Sequence, residues 1–390
     1  MTIGIDKIGF ATSQYVLQMK DLAQARNQEP EKFSQGLMLD ALSITPVTDD
    51  IISLATDAAA SILDQEDLAT IDMVILATES SVDQSKAGAV YVHQLLGIQP
   101  FARAIEMKEA CYAATAGLDY AKLHIEKHPK SRVLVIASDI AKYGINSSGE
   151  PTQGAGAVAM LVTAEPRILS FNDDNLAQTR DIYDFWRPNY SSTPFVDGMF
   201  STKQYLDCLK TTWSEYQKRQ ETDLSSFDAF CFHLPFPKLA LKGLNKIMDK
   251  SLEDSVKTRL QDNFDHSIQY SRLVGNIYTG SLYLGLLSLL ENSTTLKAGD
   301  KIGFFSYGSG AVCEIFSANL VEGYEKMLHK DRLDDLNQRQ VISVEQYEQL
   351  FYEDITLDDE GNTDFNSYQT GAFYLESIQG HKRIYKGKMK

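Results

Sequence analysis

The chain contains a copy of itself, and this limits its architecture more than any other feature. Residues 154–165 read GAGAVAMLVTAE and residues 308–319 read GSGAVCEIFSAN, with five of the twelve positions identical. The elements ahead of each copy also match. CYAATAGLDYAKLHIEKHPKSRVLVIAS and NIYTGSLYLGLLSLLENSTTLKAGDKIGFFS both run from small residues into a helical apolar pattern, then a polar turn, then a strand-like run. The same offset of 154 residues carries Glu79, at the end of VILATE, onto His233, at the end of AFCFH. A period this long marks a duplicated domain, not a solenoid unit. The bare apolar runs Val74–Thr78, Val133–Ala137, Ala229–Phe232 and Ile302–Phe305 alternate with helical segments. That is the pattern of strands buried on both faces between helix layers. An α/β fold is expected, with equivalent strand ends of the two halves converging on one cleft, where open α/β sheets collect ligands.

Composition removes several classes of function. With 37 Lys+Arg against 53 Asp+Glu in 390 residues, the formal net charge is −16, the wrong sign for a general grip on nucleic acid. A small anionic ligand held by a local lysine cluster remains open. Cys111, Cys208, Cys231 and Cys313 form no CxxC and no close pair in sequence, so neither a zinc site nor a disulfide framework is indicated. The start, MTIGIDKIGFAT, lacks the basic and apolar segments of a signal peptide, and no stretch approaches 18 apolar residues. No membrane segment and a reducing cytoplasm are therefore expected. The final HKRIYKGKMK carries five Lys/Arg and reads as a solvated end.

Three residues stand out as chemistry. Cys111, in KEACYAATAGLDYAK, opens a helical segment with small residues at its start. A thiol at a helix N-terminus is expected to gain thiolate character, although a free cysteine is more often a core filler. Glu79 closes a buried strand, where partial desolvation raises a carboxyl toward the range needed to remove a weakly acidic C–H proton. His233, in FCFHLPFPK, has the most enclosed setting of the seven histidines, with Pro235 and Pro237 ending its strand; a backbone-satisfied core histidine is the alternative. Asn276, in VGNIYTGSLYLG, occupies the place in the repeat that Cys111 occupies in the first half. Tyr307, Gly308, Ser309 and Gly310 read as a small-residue turn whose N–H groups face a bound carbonyl, or simply as a tight turn. Lys238, Lys242, Lys246 and Lys250 recur every four residues, either as a solvated helix face or as a phosphate-neutralising stripe.

EMKEACYAATAGLDYAK, VILATES and HLPFPKLALKG, in this order and with QGAGAVAMLV, GNIYTGSLY and YGSGAVCE, resemble the 3-hydroxy-3-methylglutaryl-coenzyme A synthases. The bacterial form of this thiolase-superfamily family is the nearest, and the resemblance covers essentially the whole chain. It implies a duplicated thiolase-like fold with five-layer αβαβα architecture. Residues 1–169 form a first half carrying Glu79 and Cys111, and residues 170–390 a second half with cavity-covering insertions, carrying His233 and Asn276. It further implies Cys111 as acyl-carrying nucleophile, Glu79 as general acid/base and His233 as ligand of the acceptor, with Asn276 orienting the carbonyl. Tyr143, Thr152, Ser201, Lys238, Lys242, Tyr307 and Ser309 fall in segments that contact substrate, with Tyr205 and Asp184 supporting the cavity. The substrates implied are acetyl-CoA and acetoacetyl-CoA, the product 3-hydroxy-3-methylglutaryl-CoA, with no cofactor and a homodimeric assembly. Glu79 separates this reaction from decarboxylating condensations, which generate their carbanion without such a base. The alternatives are a polyketide β-branching synthase using a carrier-bound acceptor and a noncatalytic acyl-CoA-binding protein on the same fold.

Overall fold

Alternate residues along the apolar runs feed different cores, and this sorts the chain into layers. The computed structural model describes residues 1–191, 193–365 and 370–388. Strand β1 (Ile3–Ala11) is followed by β2 (Ile71–Ala77), β3 (Arg103–Met107), β4 (Arg132–Ala141) and β5 (Gly154–Ala164). Then come β6 (Leu169–Phe171), where the two halves join, and β7 (Ala229–Phe232), β8 (Lys301–Gly308) and β9 (Val312–Leu320) of the second half. Met73, Ile75 and Ala77 of β2 and Val133, Val135 and Ala137 of β4 join one apolar cluster. Their neighbours Val74, Leu76, Leu134 and Ile136 join another. In the second half Ala229 and Cys231 of β7 turn toward the first cluster, while Phe230 and Phe232 turn toward a third. A strand's period of two makes both faces apolar only where both are covered.

The shared cluster is the middle of the molecule. It contains Ala113, Ala114, Leu118 and Ala121 of α3 (Ala113–Lys127) beside Leu282, Leu286 and Leu289 of α7 (Ser281–Asn292). Outside the first-half sheet lie α1 (Ile51–Ala60) and α2 (Gly88–Leu96). Outside the second lie α4 (Gly198–Gln220), α5 (Pro237–Ile247) and α6 (Asp254–Ser267). Helix, sheet, paired helices, sheet, helix gives the five layers. The strand order is β7-β8-β9-β6-β1-β5-β4-β2-β3, a near-palindrome centred on the β1–β6 join, where Gly4 faces Ser170 and Ile5 faces Leu169. β2, β3 and β4 run parallel, as do β7 and β8, whereas β5 and β9 run antiparallel to their neighbours. The parallel strands deliver their carboxyl ends to one side.

Several sequence-based expectations need correction. The run beginning at Ile302 continues through Tyr307 and Gly308 as β8, so the turn is confined to residues 309–311. Lys250 is off the lysine helix, because α5 ends at Ile247 and Met248 caps it. The basic C-terminal segment is not a loose solvated end; Met389 and Lys390 lie outside the described residues. Phe373–Gln379 (β10) and Lys382–Gly387 (β11) form an antiparallel hairpin. The hairpin lies against the first half, with Leu375 N–H donating to the Thr48 carbonyl at 2.8 Å. Composition registers the lysines and arginine of this tail but not Tyr385 and Phe373, which anchor it.

Candidate active site

Cys111 and Glu79 come from adjacent strand ends. Glu79 lies two residues past β2, and Cys111 ends the loop between β3 and α3, with Tyr112 as the N-cap residue. Ala110, immediately before the thiol, has φ of +43°, a left-handed conformation unusual for a residue with a Cβ. The Cys111 Sγ donates to Glu79 Oε1 at 3.1 Å. Glu79 is pushed up to about 8 by burial and by the charge of Asp139, with Arg187 and the thiol pulling the other way. The Cys111 thiol is itself held well above its usual range by burial and by the negative charges of Glu79, Asp139 and Asp184. This overturns the thiolate expected from the helix end. Burial, together with the carboxylates, outweighs a partial dipole charge, so the resting nucleophile is a thiol with the Glu79 carboxyl already in contact.

Asp139 organises this corner. It is fully buried on β4 and its Oδ1 accepts the Glu79 N–H (2.9 Å) and the Thr78 hydroxyl (2.8 Å). Its Oδ2 accepts the N–H (3.1 Å) and hydroxyl (2.5 Å) of Thr279 from the second half. Sequence reasoning missed it because RVLVIASD ends like any strand, and its partners are 60 to 140 residues away. Arg187 was also missed. It directly follows Trp186, inside the short hairpin Phe185–Trp186/Phe195–Val196, and donates to the Glu79 carbonyl at 3.0 Å.

The second half brings the imidazole and the amide. His233 follows β7 directly, its N–H bonded to the Phe305 carbonyl at 2.8 Å and its carbonyl accepting the Tyr205 hydroxyl at 2.9 Å. The ring is different: Nδ1 is buried and has no hydrogen-bond partner among the described residues. Burial lowers the ring to about 3, so it is neutral and offers one N–H and one lone pair. A histidine that was merely satisfied core would not leave a buried nitrogen open. The Asn276 amide oxygen is locked by Tyr278 N–H and Ser281 Oγ, both at 2.9 Å, while Nδ2 reaches the Tyr143 hydroxyl at 3.2 Å. One amide hydrogen is left for a ligand. Tyr143, Phe185 and Tyr278 form a ring triangle with centroids 5.8 to 6.1 Å apart, giving the site an apolar wall.

The two repeat glycines explain how the halves meet. A Cβ on Gly308 would lie 2.6 Å from the Glu109 carbonyl oxygen and 2.8 Å from Tyr112 N, so β8 abuts the Cys111 loop. A Cβ on Gly154 would lie 2.6 Å from the Asn276 carbonyl oxygen and 2.8 Å from its nitrogen. Each half thus seats the functional loop of the other, at positions related by the 154-residue offset. Among the described residues neither Cys111 N–H nor Ser309 N–H has an acceptor within the protein, leaving both for an anionic oxygen.

The remaining candidates are dispersed around this centre. Thr152 lies in the 3-10 turn of the Tyr143 loop, its hydroxyl donating to the Gly149 carbonyl at 2.9 Å. Ser201 is half-buried in the first turn of α4. Tyr307 gives its hydroxyl to Asp184 at 2.6 Å, and Asp184 also accepts Gly310 N–H at 2.9 Å, so these two fix the turn beside Ser309. Lys238 is half-buried in the first turn of α5 and Lys242 is exposed one turn on. Among the described residues no cluster of His, Cys, Asp and Glu has the geometry of a metal site, and no helix is long and apolar enough to cross a membrane.

Family profiles match nearly the whole chain: hydroxymethylglutaryl-coenzyme A synthase N terminal over residues 2–166, and C terminal over residues 175–259 and 244–388. A hydroxymethylglutaryl-CoA synthase of Enterococcus faecalis is 53% identical over 368 residues, covering 92% of this chain and 96% of that one. A polyketide 3-hydroxy-3-methylglutaryl-ACP synthase of Bacillus subtilis is 30% identical, covering 90% and 88%. A crystal structure of an HMG-CoA synthase complexed with CoA superposes with a TM-score of 0.98 at 66% identity over the full length of both chains.

Proposed function

The chain belongs to the hydroxymethylglutaryl-coenzyme A synthase family, and from that premise we propose that Cys111, Glu79 and His233 divide its reaction among them. The activity is the condensation of acetyl-CoA with acetoacetyl-CoA to 3-hydroxy-3-methylglutaryl-CoA, the acyl-enzyme step of the mevalonate pathway. The contact between Cys111 Sγ and Glu79 Oε1 at 3.1 Å carries the assignment.

Cys111 attacks the acetyl carbonyl of acetyl-CoA and its thiol proton leaves on the departing CoA sulfur, giving acetyl-Cys111 with Glu79 as a free carboxylate beside it. The carboxylate next removes a proton from the acetyl methyl group. Negative charge moves onto the thioester oxygen, which the Cys111 and Ser309 N–H groups receive. The new carbon nucleophile attacks the ketone carbon of acetoacetyl-CoA, whose oxygen the neutral His233 ring and the free Asn276 amide hydrogen orient. Glu79 returns its proton to the alkoxide, and water cleaves the product from Cys111. A base near pH 8 suits both transfers, being strong enough to abstract and acidic enough to give back.

Tyr143, Thr152, Ser201, Lys238, Lys242 and Tyr307 are proposed to line the route of the CoA arm, with Lys238 and Lys242 nearest its phosphates. The halves are taken as residues 1–169 and 170–390. Among the described residues β3, the terminal strand of the sheet, is paired only with β2. An open edge of this kind is closed by an antiparallel copy of itself, which supports a homodimer. Four free cysteines support a reducing cytoplasmic setting.

Purified protein incubated with acetyl-CoA should gain a Cys111-dependent acetyl adduct by intact mass, which acetoacetyl-CoA then discharges as 3-hydroxy-3-methylglutaryl-CoA. An adduct inert toward acetoacetyl-CoA but consumed by a carrier-bound acceptor would favour the β-branching alternative. No adduct at all would favour a noncatalytic binding protein.

A further inference from the structure

Behind Glu79 the backbone has no helix or strand from residue 80 to residue 87, and α2 begins at Gly88. An irregular segment holds a side chain in one pose only where its backbone is tied to something rigid. Both ends are tied locally: Ser80 N–H donates to Thr78 Oγ1 at 3.0 Å, and Gly88 N–H to Glu106 Oε2 at 2.6 Å. The middle is tied from the far end of the chain. Arg383 Nη1 donates to Asp83 Oδ1 at 2.8 Å and Nη2 to the Val82 carbonyl at 3.3 Å. The Arg383 side chain is only 18% exposed, so this forked contact is not one of the freely solvated pairs that contribute little.

Arg383 is itself firmly mounted. On the same strand, β11, the Tyr385 hydroxyl donates to Asp50 Oδ2 at 2.5 Å, and its ring meets Tyr91 of α2 edge-on at 5.4 Å. Asp50 caps α1 through the Ile52 and Ser53 N–H groups, and α1 packs on the first-half sheet. Tyr91 reaches the same Asp83 carboxylate at 3.3 Å. The hairpin therefore connects a rigid helix end to the loop that leaves Glu79.

We infer that Arg383 is a positioning residue for the condensation step, holding the segment behind Glu79 so that the C-terminal hairpin sets the pose of the acid/base group. The inference rests on the proposed role of Glu79. It predicts a selective defect, because Cys111, its oxyanion donors and His233 have other supports.

The test uses the full-length protein with Arg383→Met, Arg383→Lys and, from the loop side, Asp83→Asn. Rapid-quench measurements separate Cys111 acetylation from condensation of the preformed acetyl-enzyme. Arg383→Met should slow condensation ~10-fold or more, since displacements of about an ångström cost rates of this order, with acetylation and the KM for acetoacetyl-CoA within ~3-fold. Asp83→Asn should reproduce the defect even if Arg383→Met folds poorly, and Arg383→Lys should recover part of it. In a Glu79→Gln background, Arg383→Met should add nothing, because the two act through one group. Equal loss of both steps, undiminished condensation in Arg383→Met and Asp83→Asn, or a further loss in the Glu79→Gln background would overturn the inference. Normal condensation by Glu79→Gln alone would instead overturn the role of Glu79.

Discussion

Replacing Glu79 with Gln should stabilise the folded protein, and the gain should grow with pH. Glu79 is raised from an ordinary 4.5 to about 8 in the fold, first by burial and then by Asp139. Between those values the folded state keeps a proton that the unfolded chain has lost. Stability therefore falls as pH rises through that window, and the penalty is absent below it. At ~1.4 kcal/mol per pH unit the full penalty reaches about 5 kcal/mol by pH 8. Glu79 is half-buried, and water that reaches it screens part of this, so a gain of roughly 2–4 kcal/mol is expected above pH 8. Gln keeps the shape and does not titrate. Urea melts of the two proteins from pH 5 to pH 9 measure the effect, and subtraction removes every other group that titrates in both. A difference that stays flat across this range, or a Gln variant less stable than the parent at pH 8.5, would refute the argument that Asp139 and burial strain this carboxylate.

Three further outcomes follow from the geometry. Condensation should speed up as pH rises toward about 8, where Glu79 ionises; Asp139→Asn removes a raising charge, so this limb should move to lower pH in a pH–rate profile. His233→Ala should raise the KM for acetoacetyl-CoA ~10-fold or more while leaving acetyl adduct formation by mass spectrometry within ~3-fold, because the role proposed for its ring is to orient the acceptor. Gly308→Ala puts a methyl 2.6 to 2.8 Å from Glu109 and Tyr112 backbone atoms; both half-reactions should drop ~10-fold or more, with a loss of ~1–3 kcal/mol in denaturant melts.

The features legible in sequence were those written locally. Ala229–Phe232 is a strand with the bounds its apolar run gives. The repeat pairs Glu79 with His233 because equivalent strands end at both. What sequence hid depends on long-range contact. Asp139 acts through Thr279, 140 residues on, and Arg383 through Asp83, 300 residues back; neither pairing leaves a periodicity. The state of Cys111 was misjudged for a related reason. A helix end is visible in sequence, whereas the burial of the thiol and the three carboxylates around it exist only once both halves have folded.

The crossed seating of Gly154 under Asn276 and Gly308 under the Cys111 loop has a practical corollary. Each fragment of a chain cut near residue 169 would carry a receptor for its counterpart's loop and none for its own. Neither fragment alone should hold a competent thiol or amide, and turnover should appear only on reassociation, in proportion to the amount of heterodimer recovered.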